Sequence, residues 1–259
     1  MNFTDKLKQA AIKNSSLLCV GLDADIDKIA PNEQLAFNKK IIDQTHDLVC
    51  AYKPNSAFYE AGGAKGIEAL KQTCDYLTEN YPEIPIILDA KRGDIGNTNI
   101  GYAKFAFEYL GADAITLNPY MGVEALSSFA EYKDKGLIIL ARTSNQGGAD
   151  FQSSSVDTPL YLSVVEKFQD AWETHTGLMF VAGATQPEEL AKIRTATPDR
   201  WLLVPGVGAQ GGDLEKVLEA GMNQDKQGLV INASRSIIFA DDPREAALSL
   251  RDAINQDKN

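Results

Sequence analysis

Eight short apolar runs, separated by stretches of helical periodicity, constrain this chain more than any other feature. The runs are 17–23, 48–58, 84–91, 114–119, 137–143, 178–182, 201–207 and 229–233. Most are continuously apolar rather than alternating, the pattern of a strand covered on both faces. Parallel strands cannot be joined by a tight turn and need a crossover, usually a helix. The intervening segments supply it. Ile67, Leu70, Cys74 and Leu77 recur at i, i+3, i+7 and i+10 and give one apolar helix face. Val164, Val165 and Phe168 do the same between Leu160 and Trp172. Asn32 before Glu33, and Thr185 before Pro187-Glu188-Glu189, read as N-cap starts. Gly111 and Gly221 sit where helices should stop. No long Pro- or Ser-rich linker separates the units, so residues 1–259 read as one domain. Eight βα units in 259 residues predict an α/β fold, a (β/α)8 or TIM barrel. A doubly wound open sheet is the alternative, because sequence does not reveal closure.

A barrel predicts functional residues at the C-terminal ends of its strands. The third run ends in Asp89-Ala90-Lys91-Arg92-Gly93-Asp94. Residues i and i+2 of a strand share a face, so Asp89 and Lys91 are expected to project together. Asp94 falls in a loop that begins at Gly93. Buried charges are expensive unless paired, so this cluster is either a polar site or a structural salt bridge. Asp23, Lys53, Thr143-Ser144, Gly206-Val207-Gly208 and Ser234-Arg235 stand at other strand ends. Contact with solvent accounts for Asp23 or Ser144 singly. It accounts poorly for Lys53, which sits inside Val49-Cys50-Ala51-Tyr52-Lys53-Pro54.

The stretch Pro205-Gly206-Val207-Gly208-Ala209-Gln210-Gly211-Gly212-Asp213 contains a literal GxGxxG. A dinucleotide site would need an acidic residue at the end of the next strand. That strand ends in Ser234-Arg235, so NAD is discounted. A phosphate cradle fits better: glycines let backbone N–H groups approach an anion, and Arg235 supplies a fork-shaped cation. Barrels frequently hold phosphate in the loops after strands seven and eight, where these residues lie. The plain alternative is a glycine turn beside a surface arginine.

Charge and composition remove several function classes. The formal charge of −11 argues against a surface that coats nucleic acid, and an anionic ligand needs a locally positive pocket. No apolar run approaches the roughly 20 residues of a membrane span, and Met1 to Leu7 lacks the apolar core of a secretory signal. Three widely spaced cysteines form neither a metal pattern nor a disulfide framework, which fits a reducing cytoplasm. The two histidines, His46 and His175, fall in helical stretches with no nucleophile placed beside them. A hydrolase triad and a metal site are therefore not expected. Tyr52 and Phe58 read as packing residues. Residues 145–157, with Gly147-Gly148 and Ser153-Ser154-Ser155, make a long loop for a barrel. It is read as a mobile lid or as a disordered surface insertion.

Over nearly its whole length the chain resembles the orotidine 5′-phosphate decarboxylase family, its longer bacterial subgroup in particular. Asp89-Ala90-Lys91-Arg92-Gly93-Asp94 matches the family's DxKxxD signature. Residues 205–212 and Ser234-Arg235-Ser236-Ile237 match its phosphate-binding end, and Lys53-Pro54-Asn55-Ser56-Ala57-Phe58-Tyr59 matches the subgroup. A sugar-phosphate decarboxylase relative shares DxKxxD, but the combination with Lys53, Gln210 and Arg235 is specific.

The resemblance implies decarboxylation of orotidine 5′-monophosphate to uridine 5′-monophosphate without cofactor or metal. It implies an alternating tetrad of Lys53, Asp89, Lys91 and Asp94, with Lys91 as proton donor to C6 of the pyrimidine. It implies a homodimer in which Asp94 and Thr98 enter the neighbouring subunit's site. Asp23 would bond the ribose and Ser144 the pyrimidine amide edge. Pro205, Gln210, Ser234 and Arg235 would form the phosphate end. Arg142 either supports Ser144 or faces the 145–157 segment, and residues 118–122 receive no catalytic role. Two other readings stay open: a metal-dependent sugar-phosphate decarboxylase or Schiff-base aldolase on the same barrel, and a noncatalytic phosphate-ligand binder.

Overall fold

A computed structural model describes residues 1–30, 33–154, 157–207 and 212–257. Its strands are β1 (Leu18–Gly21), β2 (Ala51–Lys53), β3 (Ile87–Arg92), β4 (Ala114–Leu117), β5 (Gly136–Arg142), β6 (Leu178–Ala182), β7 (Leu202–Pro205) and β8 (Leu229–Ala233). All pair in parallel, in the order β2-β1-β8-β7-β6-β5-β4-β3. The two ends of this order also meet. Tyr52 bridges Ile86 and Asn55 bridges Asp89. The Tyr52 N–H donates to Pro85 O at 3.0 Å, and the Asp89 N–H to Pro54 O at 2.9 Å. The sheet is thus a nearly closed (β/α)8 barrel, not the open sheet.

Closure explains the apolar runs. Each strand packs inward against the barrel interior and outward against helices, so Leu137, Ile138 and Ile139 are all buried despite alternating faces. The helix Gly63–Asn80 buries Leu70, Cys74 and Leu77, and Leu160–Ala171 buries Val165 and Phe168, on the faces their spacing predicts. Gly111, at φ +70°, follows the helical segment that ends at Tyr109. An additional helix, Phe3–Lys13, precedes β1 and packs at the opposite end of the barrel from the site. Its Phe3 ring occupies the space a Cβ on Gly136 would need.

Several local expectations are corrected. Thr185 does not cap the helix Pro187–Ala196; Gln186 holds that position without a side-chain bond, and the Thr185 hydroxyl donates to Ser144 O at 2.9 Å instead. Asn32 lies outside the described residues, and Glu33 precedes the helix Gln34–Thr45 without a side-chain cap. His46 follows that helix as its C-cap residue, and His175 lies in the turn before β6. The 145–157 segment is folded through much of its length: a 3-10 turn at Gln146–Gly148 leads into a helical turn at Ala149–Gln152. Gln152 accepts the Thr143 N–H at 2.9 Å, and the Ser153 hydroxyl donates to Glu189 at 2.9 Å.

Candidate active site

The C-terminal rim of the barrel gathers most of the sequence candidates. Lys53 ends β2 and is 4% exposed; Asp89 lies within β3 and is 8% exposed. The Lys53 Nζ donates to Asp89 Oδ2 at 2.9 Å, and the Lys91 Nζ to Asp89 Oδ1 at 2.6 Å. One carboxylate therefore holds two ammonium groups, one buried and one, Lys91, reaching toward solvent. Burial opposes ionisation of Asp89, but the charges and hydrogen bonds of Lys53 and Lys91 outweigh it and hold its carboxyl well below the usual range. Burial likewise opposes the charge on Lys53, and Asp89 and Asp23 reverse that, raising it above an ordinary lysine. The Cys19 thiol below them is pushed up to about 12 by burial, with Asp23 and Asp89 adding to the effect and Lys53 opposing it.

Asp89 and Lys91 do not meet by regular strand alternation. The β3–β4 register pairs Leu88 with Ile115 but Arg92 with Leu117, so β3 carries extra residues between those pairs. Lys91 takes a left-handed backbone, φ +48°, within this bulge. Bulges re-aim side chains beside sites, and this one turns Lys91 onto Asp89. Two residues that sequence reading missed support the carboxylate. Thr116 of β4 donates through Oγ1 to Asp89 Oδ1 at 2.9 Å, and Asn55 reaches Asp89 Oδ2 at 3.4 Å. Thr116 is the one polar residue of the run Ala114–Leu117, a signal in plain view but weak alone.

Asn55 also lines an adjoining cavity of about 400 Å³, together with Asp23, Pro205, Asn232, Ser234 and Arg235. Phe58, expected only to pack, forms part of the same wall. Among the described residues, Asp23 Oδ1 and Asn232 Oδ1 are buried without a hydrogen-bond partner. Buried polar atoms are rarely left so, and these two face space that a polar ligand could occupy. Asn232, a lone amide in an apolar strand, was also missed by sequence reading. Arg235 is exposed at the start of a short helix, and no ion pair to it occurs among the described residues. Gly21 lets the two sides approach: a Cβ there would lie 2.7 Å from Ser234 Cβ.

The remaining candidates are placed elsewhere or outside. Asp94 is half-buried beyond β3; its Oδ1 accepts the Ile95 N–H at 2.8 Å, and it makes no ion pair with Lys53 or Lys91 of its own chain. Thr98 is exposed in the helix Gly96–Ala103. Ser144 follows β5, against Gly183 at the end of β6. Arg142 is buried and pairs with Glu189, so it ties the rim to the helix Pro187–Ala196. Gln210, with Gly208 and Gly211 of the glycine stretch, lies outside the described residues. Among the described residues no group of three or more His, Cys, Asp or Glu is placed to hold a metal ion.

Fold and site together define a (β/α)8-barrel protein with a charged, lysine-rich centre at the C-terminal strand ends. Residues 16–250 match the orotidine 5′-phosphate decarboxylase / HUMPS family. An orotidine 5′-phosphate decarboxylase of Cellvibrio japonicus is 49% identical over 271 residues, covering 98% of each chain. One from Ralstonia pickettii is 46% identical, with 100% of both chains covered. The solved structure of Leishmania donovani OMP decarboxylase superposes with a TM-score of 0.92 at 42% identity, covering 100% of this chain and 99% of that one. The chain belongs to the orotidine 5′-phosphate decarboxylase family.

Proposed function

We propose that this chain is a carboxy-lyase of pyrimidine biosynthesis that converts orotidine 5′-monophosphate to uridine 5′-monophosphate at the Lys53–Asp89–Lys91 centre. The observation that carries this reading is the Asp89 carboxylate clamped between two ammonium groups beside a cavity lined by Arg235 and the unpartnered Asp23 oxygen. The reaction breaks the bond from C6 to the carboxylate; carbon dioxide leaves and the electron pair stays on C6. The Lys91 ammonium stabilises that charge as it develops and then gives C6 a proton. Asp89 fixes Lys91, and Lys53 offsets the charge that Asp89 brings to an anionic substrate. Preorganised charge favours the transition state over the bound substrate, which is the requirement for a higher rate.

Asp23 would bond the ribose, and Ser144 the amide edge of the pyrimidine. Gln210, Arg235 and the backbone N–H groups of 234 and 235, beside Pro205, would hold the phosphate. That group is remote from C6, so its binding energy can support closure over the substrate. Replacing Arg235 with Ala is expected to raise KM by roughly 10- to 100-fold, the weight of a charge-assisted hydrogen bond, with a smaller change in kcat. Steady-state kinetics on orotidine 5′-monophosphate check this; an unchanged KM would remove Arg235 from the phosphate site.

Asp94 and Thr98 are assigned to the neighbouring subunit of a homodimer. Asp94 makes no ion pair with Lys53 or Lys91 of its own chain, and the exposed apolar residues Ile95, Ile100, Tyr120 and Met121 surround its segment. Apolar exposure of this kind is usual where a partner docks. The chain then works as a single barrel domain in the cytoplasm, its cysteines unpaired. No helix among the described residues is long and apolar enough to cross a membrane.

Carboxyl-labelled orotidine 5′-monophosphate, incubated with EDTA-treated protein, should yield labelled carbon dioxide and uridine 5′-monophosphate in equal amounts. Activity that requires added metal, or a borohydride-trapped lysine adduct, would instead establish the sugar-phosphate or aldolase reading.

A further inference from the structure

We infer that Thr116 is a positioning residue for this reaction: its hydroxyl sets the backbone of Lys91 and the carboxylate of Asp89 in one fixed relation. The inference rests on the decarboxylase reading above. Thr116 Oγ1 accepts the Lys91 N–H at 2.9 Å and donates to Asp89 Oδ1 at 2.9 Å. The second bond meets the same oxygen that accepts the Lys91 Nζ at 2.6 Å. A single buried hydroxyl, 1% exposed, thus closes a ring through the Lys91 backbone, the Lys91 side chain and Asp89.

The need for it follows from the bulge. Regular pairing resumes only at Arg92 with Leu117, so the Lys91 N–H loses its ladder acceptor on β4. The Lys91 N–H is partly shielded from water, where an unmatched donor is costly. Thr116 stands opposite the gap and supplies a side-chain oxygen in place of a carbonyl. Lys91 also holds a left-handed backbone at φ +48°, a conformation that is unfavourable for a non-glycine residue and persists only where the surroundings enforce it. The bond from Thr116 to the Lys91 N–H is that enforcement. A proton donor displaced by about 1 Å can cost about 100-fold in rate, so a group that never touches substrate controls the chemical step.

Thr116→Val keeps the volume and removes the hydroxyl. Its kcat is expected to fall about 10- to 100-fold with KM changed by less than about threefold. Thr116→Ser, which restores the hydroxyl on a smaller side chain, is expected to recover kcat to within about threefold. Active sites are counted by uridine 5′-monophosphate titration, so a partly unfolded preparation does not imitate the effect. If Thr116→Val does not fold, Thr116→Cys replaces it, with its weak donor and similar size, and the same loss of kcat is expected. Wild-type kcat in the Val variant, or an equal loss in Val and Ser, overturns the inference. A wild-type enzyme inactive on orotidine 5′-monophosphate overturns the decarboxylase reading and this inference with it.

Discussion

Equimolar mixing of Lys91→Ala and Asp94→Ala subunits should restore about a quarter of wild-type activity to two preparations that are nearly inactive alone. Each homodimer lacks one charged group at both sites. Loss of the proton donor and of preorganised charge each costs on the order of 10²- to 10⁴-fold, so each homodimer should fall by at least about 10²-fold. If Asp94 serves the neighbouring subunit of a two-fold dimer, a heterodimer carries both lesions at one site and neither at the other. Random exchange makes about half the dimers heterodimers, hence the quarter. Both variants should fold, because Lys91 reaches solvent, the Asp94 carboxylate bonds only the Ile95 N–H among the described residues, and the backbone bonds of Asp94 to Asn99 survive truncation of its side chain. Exchange is verified by native mass spectrometry of differently tagged subunits. Heterodimers without activity would place Asp94 in its own chain's site.

Asp89→Asn should produce the largest loss of stability among the site variants, about 3 kcal/mol at neutral pH, because it takes away the carboxylate that the buried Lys53 ammonium bonds directly. Lys53 is 4% exposed, so water cannot replace the lost partner without rearrangement. The pH dependence has a definite sign. The carboxyl of Asp89 lies below its ordinary value of 3.8, so its contribution is full above that value and is lost as pH falls through the folded one. Lys53 is raised above its ordinary 10.5, so its contribution is full below that value and is lost as pH rises through the folded one. The wild-type advantage should therefore hold from about pH 5 to about pH 9 and shrink below about pH 4. Urea midpoints across that range measure it. A gap that widens in acid would contradict the assignment.

The barrel was legible because closure buries both faces of every strand, and only continuous apolar runs satisfy that. Lys53 and Asp89 were legible for the same reason, as charges that such runs cannot otherwise tolerate. The bulge in β3 was not, because it is defined by the register against β4 and leaves no mark in Leu88-Asp89-Ala90-Lys91 itself. Strand alternation thus predicted the right pair by the wrong geometry. Thr116 and Asn232 were passed over because a single polar residue inside an apolar run has no partner visible in sequence. Thr185 has the chemistry of a cap, but the Ser144 carbonyl recruits its hydroxyl across β5 and β6. The 145–157 segment has loop composition, yet Gln152 and Ser153 find partners in Thr143 and Glu189 that are distant in its own local pattern.

The central claim is that the Asp89–Lys91 pair performs a decarboxylation with the chain's own groups. Its most direct test is the ultraviolet absorbance change when EDTA-treated protein meets orotidine 5′-monophosphate, with Lys91→Ala run beside it at equal site concentration. The expected result is rapid conversion by the wild type and a rate at least about 10²-fold lower in the variant. Equal rates in the two proteins, or no conversion by a folded wild type that binds uridine 5′-monophosphate, would contradict the account.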